Sequence, residues 1–165
     1  MNVSVGVDKL HFTIPSTYSL DEIVNGLPGW NTQPLFPGIT ADMFEESSPE
    51  NRKRSWYRKH FYLRSELGAV LVGIHMDSVS KYGKRNMVQI NGLAFSESAL
   101  NPLRKIDLQY LAQRITDLEG KITAVDTFLD VISPAVPFAE IARQSLAPSL
   151  FRVGSSPNGA SLRAF

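Results

Sequence analysis

Three strand-like runs joined by short polar turns constrain the fold of this chain more than any other feature. Ser55 to Arg64 is aromatic and basic, Ala69 to Met76 is nearly continuous apolar, and Asn86 to Ile90 ends at Asn91-Gly92. The segments between them, Ser65-Glu66-Leu67-Gly68 and Asp77 to Arg85, are short and polar. That spacing is the mark of an antiparallel meander.

The flanks extend the pattern. Asp8-Lys9-Leu10-His11-Phe12-Thr13-Ile14 alternates polar and apolar residues and stops at Pro15, so Leu10, Phe12 and Ile14 share one face of a strand. Ser19-Leu20-Asp21-Glu22 is a capping box that opens a short helix, ended by Gly26 and Pro28. Residues 28–51 are rich in Pro, Gly, Ser and acid and predict a long loop, with a turn of helix near Thr40 to Glu46. Ile106, Leu108, Leu111, Ile115 and Leu118 form a stripe that predicts a helix from about Leu103 to Leu118, stopped by Gly120. A strand over Ile122 to Asp130 follows, then a helix over Pro137 to Leu146.

The order β-α-β-β-β-α-β-α predicts an α+β fold, an antiparallel or mixed β-sheet with helices packed on one face. Residues 1–146 form that domain, and residues 147–165 are expected to be a flexible or truncated C-terminal tail. At 165 residues the chain is long enough for one real core. A net charge of +1 does not by itself announce a nucleic-acid partner. The absence of cysteine removes disulfides, thiolate nucleophiles and thiolate zinc sites. No signal-peptide pattern opens the chain, and the apolar run Leu67 to Met76 is too short to span a bilayer. A soluble, cytoplasmic protein with no membrane partner is expected.

The densest chemical signal is Arg52-Lys53-Arg54-Ser55-Trp56-Tyr57-Arg58-Lys59-His60-Phe61-Tyr62-Leu63-Arg64. On a strand, Trp56, Arg58, His60, Tyr62 and Arg64 share one face, while Tyr57, Lys59, Phe61 and Leu63 share the other, more core-like face. Cations beside flat rings suit phosphate contact combined with base stacking. The alternative is a solvated strand face whose cations pair with Glu45, Glu46 and Glu50. A second basic run includes Lys81, Lys84 and Arg85, which suit backbone phosphates or an ordinary soluble turn.

His11, His60 and His75 are scattered, with no metal-ligand spacing between them, and His75 is expected to be a satisfied core or rim histidine. Asp126 and Asp130 share one face of their strand, and a carboxylate among apolar neighbours needs a cation, a metal or hydrogen bonds. At roughly 13 Å apart along an extended strand, the two cannot chelate one ion alone. No phosphate-binding glycine loop, nucleophile elbow or singled-out tyrosine is present.

Three segments in order resemble the replication initiation proteins of rolling-circle plasmids and filamentous phages. They are Asp8-Lys9-Leu10-His11-Phe12-Thr13-Ile14, Asn86-Met87-Val88-Gln89-Ile90-Asn91-Gly92 and Lys121-Ile122-Thr123-Ala124-Val125-Asp126-Thr127-Phe128-Leu129-Asp130. The resemblance covers roughly residues 8 to 145, through short motifs of moderate specificity. It implies origin recognition and nicking of one DNA strand, with Mg²⁺ or Mn²⁺ held by Asp8, Asp126 and Asp130. It also implies a single-stranded or hairpin DNA partner, and leaves a homodimer open. Arg52, Lys53, Arg54, Arg58, Lys59, Arg64, Lys81, Lys84 and Arg85 would meet phosphates, and Trp56 and Tyr62 would stack on unpaired bases. Ala124 stands where that family usually has arginine, and no segment matches its tyrosine-nucleophile region, so no catalytic tyrosine is assigned. The competing expectation is a non-catalytic phage or plasmid regulator whose aromatic strand is a protein interface.

Overall fold

A computed structural model describes residues 2–27, 29, 33–47, 56–80, 84–96, 101–103, 106–132, 151–156 and 159–164. The chain forms two compact units, Lys9–Ala124 and Met1–Asp8 with Val125–Phe165.

The larger unit is an antiparallel sheet with two helices. Strand β1, Asn2–Pro15, enters it at Lys9. Helix α1, Leu20–Asn25, begins at the predicted capping box: the Ser19 amide donates to Glu22 Oε2 at 2.8 Å, and the Glu22 amide donates to Ser19 Oγ at 3.3 Å. A single 3₁₀ turn, Ala41–Met43, occupies the expected helical turn. It leads into β2, Glu45–Glu46, a two-residue strand that the sequence pattern does not show. The meander follows as β3, Tyr57–Arg64, β4, Val70–Ser78, and β5, Arg85–Asn91. Helix α2 runs over Leu108–Asp117, five residues later than expected at its start. Asp107 sets that start, because its carboxylate accepts the Gln109 and Tyr110 amides at 2.9 and 3.1 Å. Strand β6, Lys121–Ile132, begins directly after the turn that ends α2.

The strand order in this unit is β2-β3-β4-β5-β1-β6. Two kinds of cross-strand row run over it. Phe12, Val88, Ile74 and Phe61 lie in register across β1, β5, β4 and β3, as do Leu10, Ile90, Val72 and Leu63. Phe12, Val88, Ile74, Ile90 and Val72 are each fully buried. Ile23 and Val24 of α1, Leu111 and Ile115 of α2, and Leu35, Phe36 and Ile39 of the intervening segment complete this core. Asn86 sits within the same face, its amide donating to the Tyr18 carbonyl at 3.2 Å just before α1. The rows of the opposite face are polar and aromatic: Thr13, Met87, His75 and His60, and His11, Gln89, Gly73 and Tyr62. Most of their members on β1 and β5 are half-exposed.

The smaller unit contains the remaining parts of β1 and β6, with β7, Phe151–Ser156, and β8, Gly159–Ala164. These two pair antiparallel from Ser156↔Gly159 to Phe151↔Ala164, and β8 is beside β6. The sequence pattern assigns no element beyond Ala147, yet β7 and β8 lie there. The expected helix over Pro137 to Leu146 falls outside the described residues. No helix among the described residues is long and apolar enough to cross a membrane.

Candidate nucleic-acid interface

The half-exposed face of the larger unit carries a cluster of rings built by the β3–β4 hairpin. Its register shifts by one residue between Leu63 and Arg64, a bulge that brings His60 directly opposite His75. Without that extra residue His60 would face Ile74, and His75 would point to the other side of the sheet. The two imidazoles meet at 2.7 Å between their Nδ1 atoms, with both residues buried.

The geometry fixes the tautomers. His60 Nε2 lies 3.1 Å from the Tyr57 carbonyl, which only accepts, so Nε2 carries a proton. In the neutral pair His60 Nδ1 is therefore the acceptor and His75 Nδ1–H the donor. Protons on both Nδ1 atoms would set two N–H groups head to head. Burial, followed by the charges of His60 and His11, pushes His75 down to about 4.

Tyr57 and Tyr62 each place their ring centroid 5.8 Å from that of His75, and Arg64 lies over the Tyr62 ring at 5.6 Å. Burial raises the pKa of the Tyr57 phenol, which keeps it neutral. Gly73 leaves room for the cluster, since a Cβ there would lie 3.1 Å from His75 Nε2 and 3.4 Å from Tyr62 Cε1. The face of β3 expected to be solvated thus contains a buried histidine, because the cross-strand ring of His75 shields it.

A second feature lies where β4 ends, just before β5 begins. Arg58 and Lys84, from the two separate basic runs, line one open cleft of about 470 Å³ with Ser16, Asp77, Ser78 and Ser80. Lys59 Nζ lies 3.2 Å from the Asp77 carboxylate and offsets its charge. Trp56, 71% exposed, is held beside this cleft: its carbonyl accepts the amide of Val79, another lining residue, at 2.9 Å.

The remaining expected contact residues divide. Arg64 is exposed, donates to the Gly68 carbonyl at 2.9 Å and lies 3.7 Å from Glu45, so the charge pairing of the solvated-face reading holds for this residue. Arg85 is committed to the fold: Nε donates to Thr13 Oγ1 at 3.0 Å, and Nη2 donates to the Thr13 and Glu119 carbonyls at 3.0 and 2.8 Å. Arg52, Lys53, Arg54 and Lys81 lie outside the described residues.

Of the expected metal ligands, Asp8 is half-exposed on β1 and Asp126 is exposed on β6, strands that neighbour each other in the smaller unit. Asp130 lies within β6. Among the described residues no group of three or more His, Asp or Glu side chains is placed to hold a metal ion. No chemical step is assigned to a metal.

Sequence reasoning separated His60 from His75, although a hairpin turning near Leu67 places them at mirror positions. That hairpin symmetry was the available signal; the bulge that completes it was not. In comparison with known proteins, no family model, curated protein or solved structure matches the chain.

Proposed function

We propose that the larger unit binds single-stranded DNA on the half-exposed face of its sheet, in the role of origin recognition that the resemblance to replication initiators implies. The observation that carries this reading is the clustering of His60, Tyr62 and His75 on one face, with Arg64 over the Tyr62 ring and the Tyr57 ring within 5.8 Å of His75. An open antiparallel sheet with rings and cations on one face is a general platform for unpaired bases, whose flat faces stack on the rings while phosphates meet the cations. Gln89 and Asn91, half-exposed on β5, add amide groups able to read base edges. Gln89 Nε2 donates to Asn91 Oδ1 at 3.1 Å, which orients both amides.

The proposal is one of binding. A nicking step would need a nucleophile and an electrophilic centre in line with a phosphodiester, and no tyrosine is assigned to that role. Replacing Tyr62 by alanine is expected to weaken binding of a labelled hairpin with a single-stranded loop by roughly 1–3 kcal/mol. Binding to a fully paired duplex should change little. Equal losses on both substrates, or none on the hairpin, would remove the stacking role.

A second reading, a protein-interaction module, is favoured by one observation. Among the described residues, strand β2 is the outermost of the sheet and pairs with Tyr62 and Phe61, and Trp56, just before β3, is exposed. A partner strand could add there. Such an interface would respond weakly to salt, in contrast to phosphate binding.

A further inference from the structure

We propose that His60 and His75 form a two-histidine site for a divalent transition-metal ion of the zinc type, held between their Nδ1 atoms. The site stands apart from the DNA reading and shares no residue with the acidic set Asp8, Asp126 and Asp130.

Three observations converge. First, the two residues stand directly opposite each other on paired strands, so rigid backbone positions both rings. Second, the ring centroids are 4.8 Å apart while the Nδ1 atoms are 2.7 Å apart. Both nitrogens therefore lie near the line joining the rings, and their in-plane lone-pair directions converge. Third, His60 Nε2 lies 3.1 Å from the Tyr57 carbonyl. A metal-ligating histidine characteristically donates its other ring N–H to such an acceptor, which fixes the tautomer and aims the free nitrogen at the ion. His60 has that bond already, with Nδ1 left as the acceptor.

A metal ion and the shared proton compete for the same lone pairs. When the ion binds, the His75 proton moves from Nδ1 to Nε2, so both ligands stay neutral and no proton is released. Zinc–nitrogen bonds of about 2.0–2.1 Å at a tetrahedral angle separate two ligand nitrogens by about 3.3 Å. The pair reaches that spacing by a small opening of the rings. Imidazole nitrogens suit zinc, copper and nickel, whereas magnesium prefers oxygen ligands. Among the described residues no third His, Asp or Glu joins the pair, so water completes the coordination and the site is open and exchangeable. Because the ligands come from β3 and β4, the bound ion ties the two strands together and stabilises the folded unit by mass action.

The test is calorimetric titration of the full, chelator-treated chain with zinc chloride at pH 7, and with magnesium chloride as the contrast. One zinc ion per chain should bind, and magnesium should not compete with it. His60→Gln and His75→Gln should each weaken zinc binding at least about tenfold, while His11→Gln, which changes the remaining histidine, should stay within about twofold. Zinc should raise the thermal unfolding midpoint of the original chain and of His11→Gln, and leave that of the other two variants unmoved. Both ligands are buried, so a measurement on the unmodified chain accompanies the variants: ring-nitrogen NMR of the ¹⁵N-labelled protein. Zinc should shift the Nδ1 resonances of His60 and His75 and leave those of His11 in place. Absence of binding at millimolar zinc would overturn the site. So would binding that either His60→Gln or His75→Gln leaves unchanged, or a zinc-induced shift confined to His11.

Discussion

At the scale of single residues, the His60–His75 pair makes the sharpest demands. Folding holds His75 neutral down to about pH 4, whereas an unfolded imidazole takes up its proton near pH 6.5. Between those values the unfolded chain binds more protons than the folded one. This group's contribution to stability is therefore complete above pH 6.5 and is lost as pH falls toward 4, at roughly 1.4 kcal/mol per unit of pKa shift. Urea denaturation at pH 7 and pH 4.5 should show the loss. In His75→Gln, which keeps a donor toward His60 and removes the titration, the loss over this window should shrink; an unchanged pH dependence would refute the pair's role.

Arg85 gives the opposite kind of prediction. Its donors are spent on Thr13 and Glu119, so Arg85→Ala should cost about 1–3 kcal/mol of stability. Hairpin affinity should remain within about twofold of the original protein. A stable variant that has lost DNA binding would show that Arg85 belongs to the interface after all. The sequence presents Arg85 and Lys84 as neighbours of equal kind; only the fold separates a structural cation from an exposed one.

At the scale of elements, the strands and helices of the larger unit were largely legible because local chemistry and tertiary role agree. The alternation in Leu10, Phe12 and Ile14 becomes the buried side of β1 because the same three residues meet Ile90, Val88 and Asn86 across the sheet. The capping box at Ser19 is a purely local interaction, and it survives intact. What local chemistry does not carry is register. The bulge at Leu63/Arg64 decides which side of the sheet His75 occupies, and nothing in Ser65 to Ala69 announces it. Strand β2 is similarly silent, since two glutamates have no strand propensity and pair only because Tyr62 and Phe61 present an open edge.

The end of α2 was visible as Gly120, but the reason is steric closeness. Glu119 takes the left-handed conformation (φ 51°), and a Cβ on Gly120 would lie 2.5 Å from Ile115 Cγ2 and 2.6 Å from its carbonyl oxygen. Gly120→Ala should therefore destabilise the unit by about 1–3 kcal/mol, read as a lower midpoint in thermal unfolding. Asp107→Ala, which removes the cap, should cost about 1 kcal/mol. If Gly120→Ala is neutral, the close approach at that turn is wrong.

At the scale of the whole molecule, the division of labour between the two sides of the sheet is the functional statement. One side of the larger unit is spent on the core, with Phe12, Val72, Ile74, Val88 and Ile90 shut away from water. The other gathers rings and polar groups, among them His60, His75, Tyr62 and Gln89. Composition hid this arrangement, because a chain of net charge +1 can still bring Arg58 and Lys84, from two separate basic runs, to one cleft. The measurement that bears most directly on the account is fluorescence-anisotropy titration of a labelled hairpin with a single-stranded loop across a range of salt concentrations. Three phosphate contacts from Arg58, Arg64 and Lys84 predict a log–log slope of about −2 for single-stranded contacts. No binding at low salt, or an affinity indifferent to salt, would contradict the DNA reading and favour the sheet edge as a protein interface.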